Sequence, residues 1–204
     1  MFQDAYKKLD EKAAEDLLKK INPKLDISPF DPKTTQVMTY DLSFYPGYKF
    51  VEMTDHSISP PVQAMAIYKD EDIHILNWSN EPFYTLNAKV PIHLNEDNVA
   101  KYVKFFFTYV RGRHGRFLIA ETVDDIEWKE DPAPAARKAI GKMLDDIRIS
   151  ARDEDGTFHL NAHMMFKNSL FQSTIVVKPD GSVSLMDEEL LVEDMPVIDD
   201  TLGQ

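Results

Sequence analysis

Apolar side chains recur every three or four residues near the start of the chain. Tyr6, Leu9, Ala13, Leu17 and Ile21 share one helical face, and lysines and glutamates fill the other. This predicts a helix over 4–21 with Asp4 as its N-cap. Asn22-Pro23 ends it, because proline has no amide hydrogen and clashes with the preceding turn. A connector bearing Pro23, Pro29 and Pro32 follows.

From Thr34 the period falls to two. Met38, Tyr40, Leu42 and Phe44 alternate with Thr39, Asp41 and Ser43, the pattern of a half-buried strand. Pro46-Gly47 predicts a turn into a strand over 48–54, and 62–68 and 73–78 form a hairpin across Lys69-Asp70-Glu71-Asp72. A further strand is expected over 83–90. Asn95 then caps a second helix whose stripe is Val99, Tyr102, Val103, Phe106 and Val110. Phe105, Phe107 and Tyr109 leave it apolar nearly all round, so it must be sandwiched, and Arg111-Gly112 stops it. A short strand falls at 116–121. Asp131-Pro132 opens a third helix that buries Ala136, Ala139, Ile140, Met143 and Leu144.

The last quarter reads as strands over 147–152, 157–166, 170–178 and 182–191. The turns between them are Glu154-Asp155-Gly156, Lys167-Asn168-Ser169 and Pro179-Asp180-Gly181. Consecutive hairpins make an antiparallel meander. The fold class is therefore α+β, an antiparallel sheet with a C-terminal four-stranded meander packed with about three helices. Helix followed by meander is the element order of cystatin-like and NTF2-like sheets, an analogy of order alone. A single domain over 1–204 is expected, with a sub-domain break near 92 as the alternative and a frayed acidic tail over 196–204.

Composition narrows the chemistry. With 43% hydrophobic and 11% aromatic residues, 204 residues can bury a sizeable core, which excludes global disorder. Lys+Arg 23 against Asp+Glu 35 gives −12, so the chain repels a phosphate backbone and no nucleic-acid partner is expected. Having no cysteine removes disulfides, thiol catalysis, iron–sulfur clusters and cysteine zinc sites together. The 7 glycines include no pair separated by one residue, so G-x-G-x-x-G is impossible. No cofactor is expected. Apolar runs such as Phe105-Phe106-Phe107 fall far short of the ~20 residues that span a bilayer, and the charged start is unlike a signal peptide. The expected setting is cytoplasmic, away from membranes.

His159-Leu160-Asn161-Ala162-His163 is the first candidate site. On a helix, histidines four apart could chelate a metal. The alternation of Phe158, Leu160, Ala162, Met164 and Phe166 makes this a strand, which separates the two by ~13 Å at ~3.3 Å per residue. Zinc–nitrogen bonds of ~2.0–2.1 Å cannot bridge that distance, so no metal is expected. Side by side, the strands could present Arg148, Ser150 and Arg152, then His159, Asn161 and His163, then Gln172 and Thr174 on one face. Such a face suits a small polar or anionic ligand, or a protein partner, and histidine there makes affinity pH-dependent. Solvated sheet surface is the commoner explanation for such a pattern.

The second candidate is Arg111-Gly112-Arg113-His114-Gly115-Arg116, the one concentrated basic stretch. Arg111 and Arg113 could fork onto phosphate or carboxylate, or simply complement the end of the preceding helix. Catalytic signals are weak. Asp55-His56-Ser57 holds triad residue types in succession, but adjacent side chains diverge.

The stretches Asn98-Val99-Ala100-Lys101-Tyr102-Val103-Lys104-Phe105-Phe106-Phe107 and Gly115-Arg116-Phe117-Leu118-Ile119-Ala120-Glu121 carry a likeness. With the strand around Phe171 and the closing Glu193-Asp194-Met195-Pro196, the C-terminal half resembles a group of uncharacterised, mainly proteobacterial proteins. The resemblance implies a bacterial cytosolic origin and brings no known activity, so no functional residue carries over.

Two functional expectations follow. The first is a non-catalytic binding or interaction protein using the polar face of the C-terminal sheet. The second is an enzyme with a sheet-cradled cavity, a histidine base and an arginine clamp, which leaves catalysis undecided. Strands 73–78 and 170–178 are apolar at both parities, so both their faces need cover. A second copy across a two-fold axis could supply it, and a homodimer is expected on that ground.

Overall fold

The structure, a computed structural model, describes residues 6–112 and 115–198. It has two compact units, one within Met1–Asn77 and Lys89–His93, the other within Trp78–Ala88 and Leu94–Gln204. The chain is α+β, with an antiparallel sheet in each unit. No helix among the described residues is long and apolar enough to cross a membrane.

In the first unit, β1 (Lys7–Lys8) pairs with β2 (Thr35–Asp41), and the helix α1 (Glu11–Ile21) begins only afterwards. The expected start at Asp4, which lies outside the described residues, is corrected to Asp10. Lys7 and Lys8 take ladder positions opposite Thr39 and Met38, and Leu9 donates its amide to the Val37 carbonyl. Asp10 then stands extended at the cap, and its carboxylate accepts the Ala13 amide at 2.8 Å. Asn22 closes the connector in both directions, donating to the Phe30 carbonyl and accepting the Phe30 amide, each at 3.0 Å.

The sheet continues through β3 (Lys49–Asp55), β4 (Val62–Lys69) and β5 (Asp72–Leu76) in the order β1-β2-β3-β4-β5. Ala14, Leu17, Leu18 and Ile21 of α1 pack on Val37, Val51, Met53, Ala64 and Ala66, with Ile73 and Ile75 against the same cluster. The opposite face aligns Tyr40, Phe50 and Ile67 by register.

In the second unit, the expected strand over 83–90 is instead a helix, α2 (Glu81–Lys89). Ser79 Oγ accepts the Glu81 amide and the Asn80 carbonyl accepts that of Tyr84, which starts a helical turn. Phe83 and Leu86 are then buried together at helical spacing. Helix α3 (Val99–Tyr109) is capped at Asn98, not Asn95; Asn95 Oδ1 accepts the Asp97 and Asn98 amides and forms the turn before it. Strand β6 (Phe117–Ile119) follows, and α4 (Pro134–Gly141) starts at Pro134, with Ala133 as N-cap in place of Asp131.

The meander is β7 (Arg148–Arg152), β8 (Phe158–Phe166), β9 (Ser169–Val177) and β10 (Val183–Val192). The sheet order is β10-β9-β8-β6, and β7 pairs with the other stretch of the β8 edge that β6 uses. One face, led by Phe158, Leu160, Ala162 and Met164, is buried. Phe107 of α3 reaches it through Phe117, which stacks on Phe166 with ring centres 4.5 Å apart. The Tyr102 hydroxyl also donates to the Gly181 carbonyl at 2.6 Å. On the other face Met165 and Leu170 are covered by Val123, Ile126, Ile140, Leu144, Met195 and Val197. The chain itself therefore supplies cover at both parities of β9 at this end.

Candidate functional site

Register decides which polar residues share the half-covered face. Paired residues on antiparallel strands point to the same side, so each cross-strand row can be written out. One row runs Arg148, Asn161, Thr174 and Met186 from β7 to β10. A second holds His163, Gln172 and Glu189, and a third Ala151, His159, Val176 and Ser184. Arg148, His159, Asn161 and His163 thus lie on one face, with Leu118, Met165 and Leu170 continuing it under the covering layer.

Arg152 does not join them. Between Ile149 and Ala151 the β7 register slips by one residue against Leu160 and His159, and Ser150 is the extra residue. A bulge of one residue reverses the parity beyond it. Arg152 therefore pairs with Phe158 on the apolar face, where its guanidinium lies 4.7 Å from the ring centre. The sequence shows an unbroken alternation here, and only the ladder reveals the slip.

The histidines differ in setting. His163 is 8% exposed, and its Nδ1 accepts the Asp145 amide at 3.3 Å, which places the proton of the neutral ring on Nε2. His159 is more open, its side chain 25% exposed, and its Nε2 lies 2.8 Å from Asp153 Oδ2. Asp153, in the turn after β7, is the partner that sequence spacing missed. Arg148 is 63% exposed at its side chain and 3.9 Å from Asp145. The open part of the face therefore carries Arg148 beside Asp145, the His159–Asp153 pair, the Glu189 carboxylate, and the neutral donors and acceptors of Asn161, Gln172 and Thr174.

The basic stretch lies elsewhere. Arg111 folds over the Trp78 ring, 4.2 Å from its centre, while Arg113 lies outside the described residues. An open cleft of about 500 Å³ is lined by Glu121, Thr122, Val123, Asp124, Arg137 and Lys138, among others. It contains neither histidine. Its two carboxylates are already engaged: Lys104 Nζ lies 2.6 Å from Glu121 Oε2, and Arg137 pairs with Asp124. Among the described residues no group of His, Cys, Asp and Glu could hold a metal ion.

The first unit holds a polar cluster that no motif announced. Asp72 accepts the Tyr48 hydroxyl at 2.7 Å and the Lys89 ammonium at 2.6 Å, and His74 Nε2 lies 3.1 Å from the same oxygen that Lys89 uses. Burial pushes the Asp72 pKa up, but the Lys89 and Tyr48 hydrogen bonds and the nearby His74 outweigh it and bring the carboxyl to about 2. Burial, followed by the Asp72 carboxylate, pushes Tyr48 up to about 12. Only the position of Asp72 at a predicted turn hinted at it.

Compared with protein-family models, curated proteins and solved structures, the chain matches none.

Proposed function

We propose that this chain is a binding module that takes a small polar or anionic ligand on the open face of its C-terminal sheet. The observation that carries the proposal is the row Arg148, Asn161 and Thr174 beside the His159–Asp153 pair. Strands stand ~4.8 Å apart and same-face neighbours along a strand ~6.7 Å apart, so these groups fit one carboxylate- or hydroxyl-bearing molecule. A protein partner offering an acidic side chain would use the same groups.

An enzyme built on a histidine base and an arginine clamp has less support. His159 is already paired with Asp153, and the cleft lined by Glu121 and Arg137 contains neither histidine nor Arg111. Binding without chemistry needs only the donors, acceptors and charge that the face displays.

The test follows backbone amides by two-dimensional NMR while succinate, glutamate and inorganic phosphate are added in turn. At least one should move the Arg148, Asn161 and Thr174 amides saturably, and Arg148→Gln should abolish the movement. If none moves them, or if Arg148→Gln changes nothing, the proposal is wrong.

A further inference from the structure

In a chain of net charge −12, Arg111 has no counter-charge among the described residues. Among the described residues its guanidinium makes no ion pair and no hydrogen bond, and its Nε is buried with no acceptor. Two other arginines of this unit contrast with it: Arg137 has Asp124 and Arg148 has Asp145. Nor does Arg111 cap α3. The Val110 amide bonds the Phe106 carbonyl there, and the Arg111 side chain turns away onto Trp78.

The backbone is arranged for this stack. Trp78 adopts φ +65°, a left-handed conformation that costs a bulky residue about 1–3 kcal/mol. The Trp78 carbonyl accepts the Arg111 amide at 2.7 Å, which fixes the two residues against each other. Tyr109 backs the indole with ring centres 6.4 Å apart. Gly112 and Gly115 then bond each other in both directions, at 2.8 and 3.2 Å. The guanidinium is thus held over an aromatic platform, and among the described residues its Nη groups have no hydrogen-bond partner.

A stacked guanidinium keeps its donors in the ring-parallel plane, where two N–H groups match the two oxygens of a carboxylate or phosphate. Stacking also removes rotamer freedom before any ligand arrives. We infer that Trp78 and Arg111 form an oxyanion-binding site, distinct from the sheet face, for the phosphate or carboxylate group of a small molecule.

The experiment titrates the full chain with inorganic phosphate, and separately with acetate, at constant ionic strength, reading the indole N–H signals. The chain has 2 tryptophans, Trp78 and Trp128, so Trp128→Phe assigns them. A saturable shift of the Trp78 indole with Trp128 unmoved is expected for at least one anion, and which anion does so tells phosphate from carboxylate. Arg111→Lys keeps the charge but loses the planar fork, and should weaken the response roughly tenfold. Arg148→Gln should leave it intact, which separates this site from the sheet face. No saturable shift of Trp78 in the wild-type chain with either anion overturns the inference. So does a shift that survives Arg111→Gln or disappears in a folded Arg148→Gln.

Discussion

Replacing Asp72 by asparagine keeps the side chain's volume and removes its charge. In the native unit Asp72 takes the Tyr48 hydroxyl on one oxygen and the Lys89 ammonium on the other. Asparagine offers one acceptor and one donor group to these two donors, so one of them loses its acceptor. The carboxyl sits at about 2 rather than 3.8, and at ~1.4 kcal/mol per unit this corresponds to ~2.4 kcal/mol in favour of the charged form. The side chain is still 27% exposed, so solvent screening trims the effect to about 1–2 kcal/mol. Because the folded pKa is depressed, this stability is present above about pH 4 and lost as pH falls through about 2. Urea unfolding followed by far-UV circular dichroism, at several pH values from 7 downwards, measures the difference between D72N and wild type. It should be about 1–2 kcal/mol at neutral pH and shrink steadily below about pH 4. A variant as stable as wild type at pH 7, or a deficit that does not shrink in acid, would refute the reasoning.

Tyr48 gives the alkaline counterpart. Its pKa is raised from 10.0 to about 12, so its contribution is complete below pH 10 and lost as pH rises through about 12, and Tyr48→Phe should flatten that limb of the stability profile. Asp10→Ala removes the side chain that accepts the Ala13 amide, and thermal unfolding should show a loss of about 1 kcal/mol. Gly181→Ala forces a Cβ into the space of the Asn87 amide at a residue held at φ +79°, and denaturation should reveal a cost of about 2 kcal/mol or more. Arg152→Ala should cost about 0.5–1 kcal/mol of stability, the value of an exposed cation–π contact on Phe158, and leave ligand response on the opposite face untouched.

Periodicity located the meander well because each turn between its strands carries Gly, Asn or Asp and the longest alternation, over 158–166, is unbroken. The Phe105–Phe107 run also marked α3 as a sandwiched helix, and the structure buries all three phenylalanines. Where the local signal was ambiguous, longer-range partners decided. Residues 83–90 hold apolar groups compatible with either period, and Ser79 and Asn80 tipped them to helix. Lys7 and Lys8 fit the polar face of the expected helix, yet β2 offered them ladder positions. That His159, Asn161 and His163 share a face was visible as parity, whereas Arg148 joins them only through the β7–β8 register. The bulge at Ser150 was not visible, since a register slip is a property of two strands and leaves no mark on one. The Asp72 cluster joins residues 48, 72, 74 and 89, and no spacing rule brings those together.

The central claim is that the open face of the C-terminal sheet binds a ligand. A crystal of the full chain soaked in a mixture of small carboxylates, amino acids and phosphates tests it most directly. The account predicts ordered density within hydrogen-bonding reach of Arg148, Asn161 and Thr174, beside the His159–Asp153 pair. Density that forms only in the cleft at Glu121 and Arg137, with the sheet face left to solvent, would contradict it.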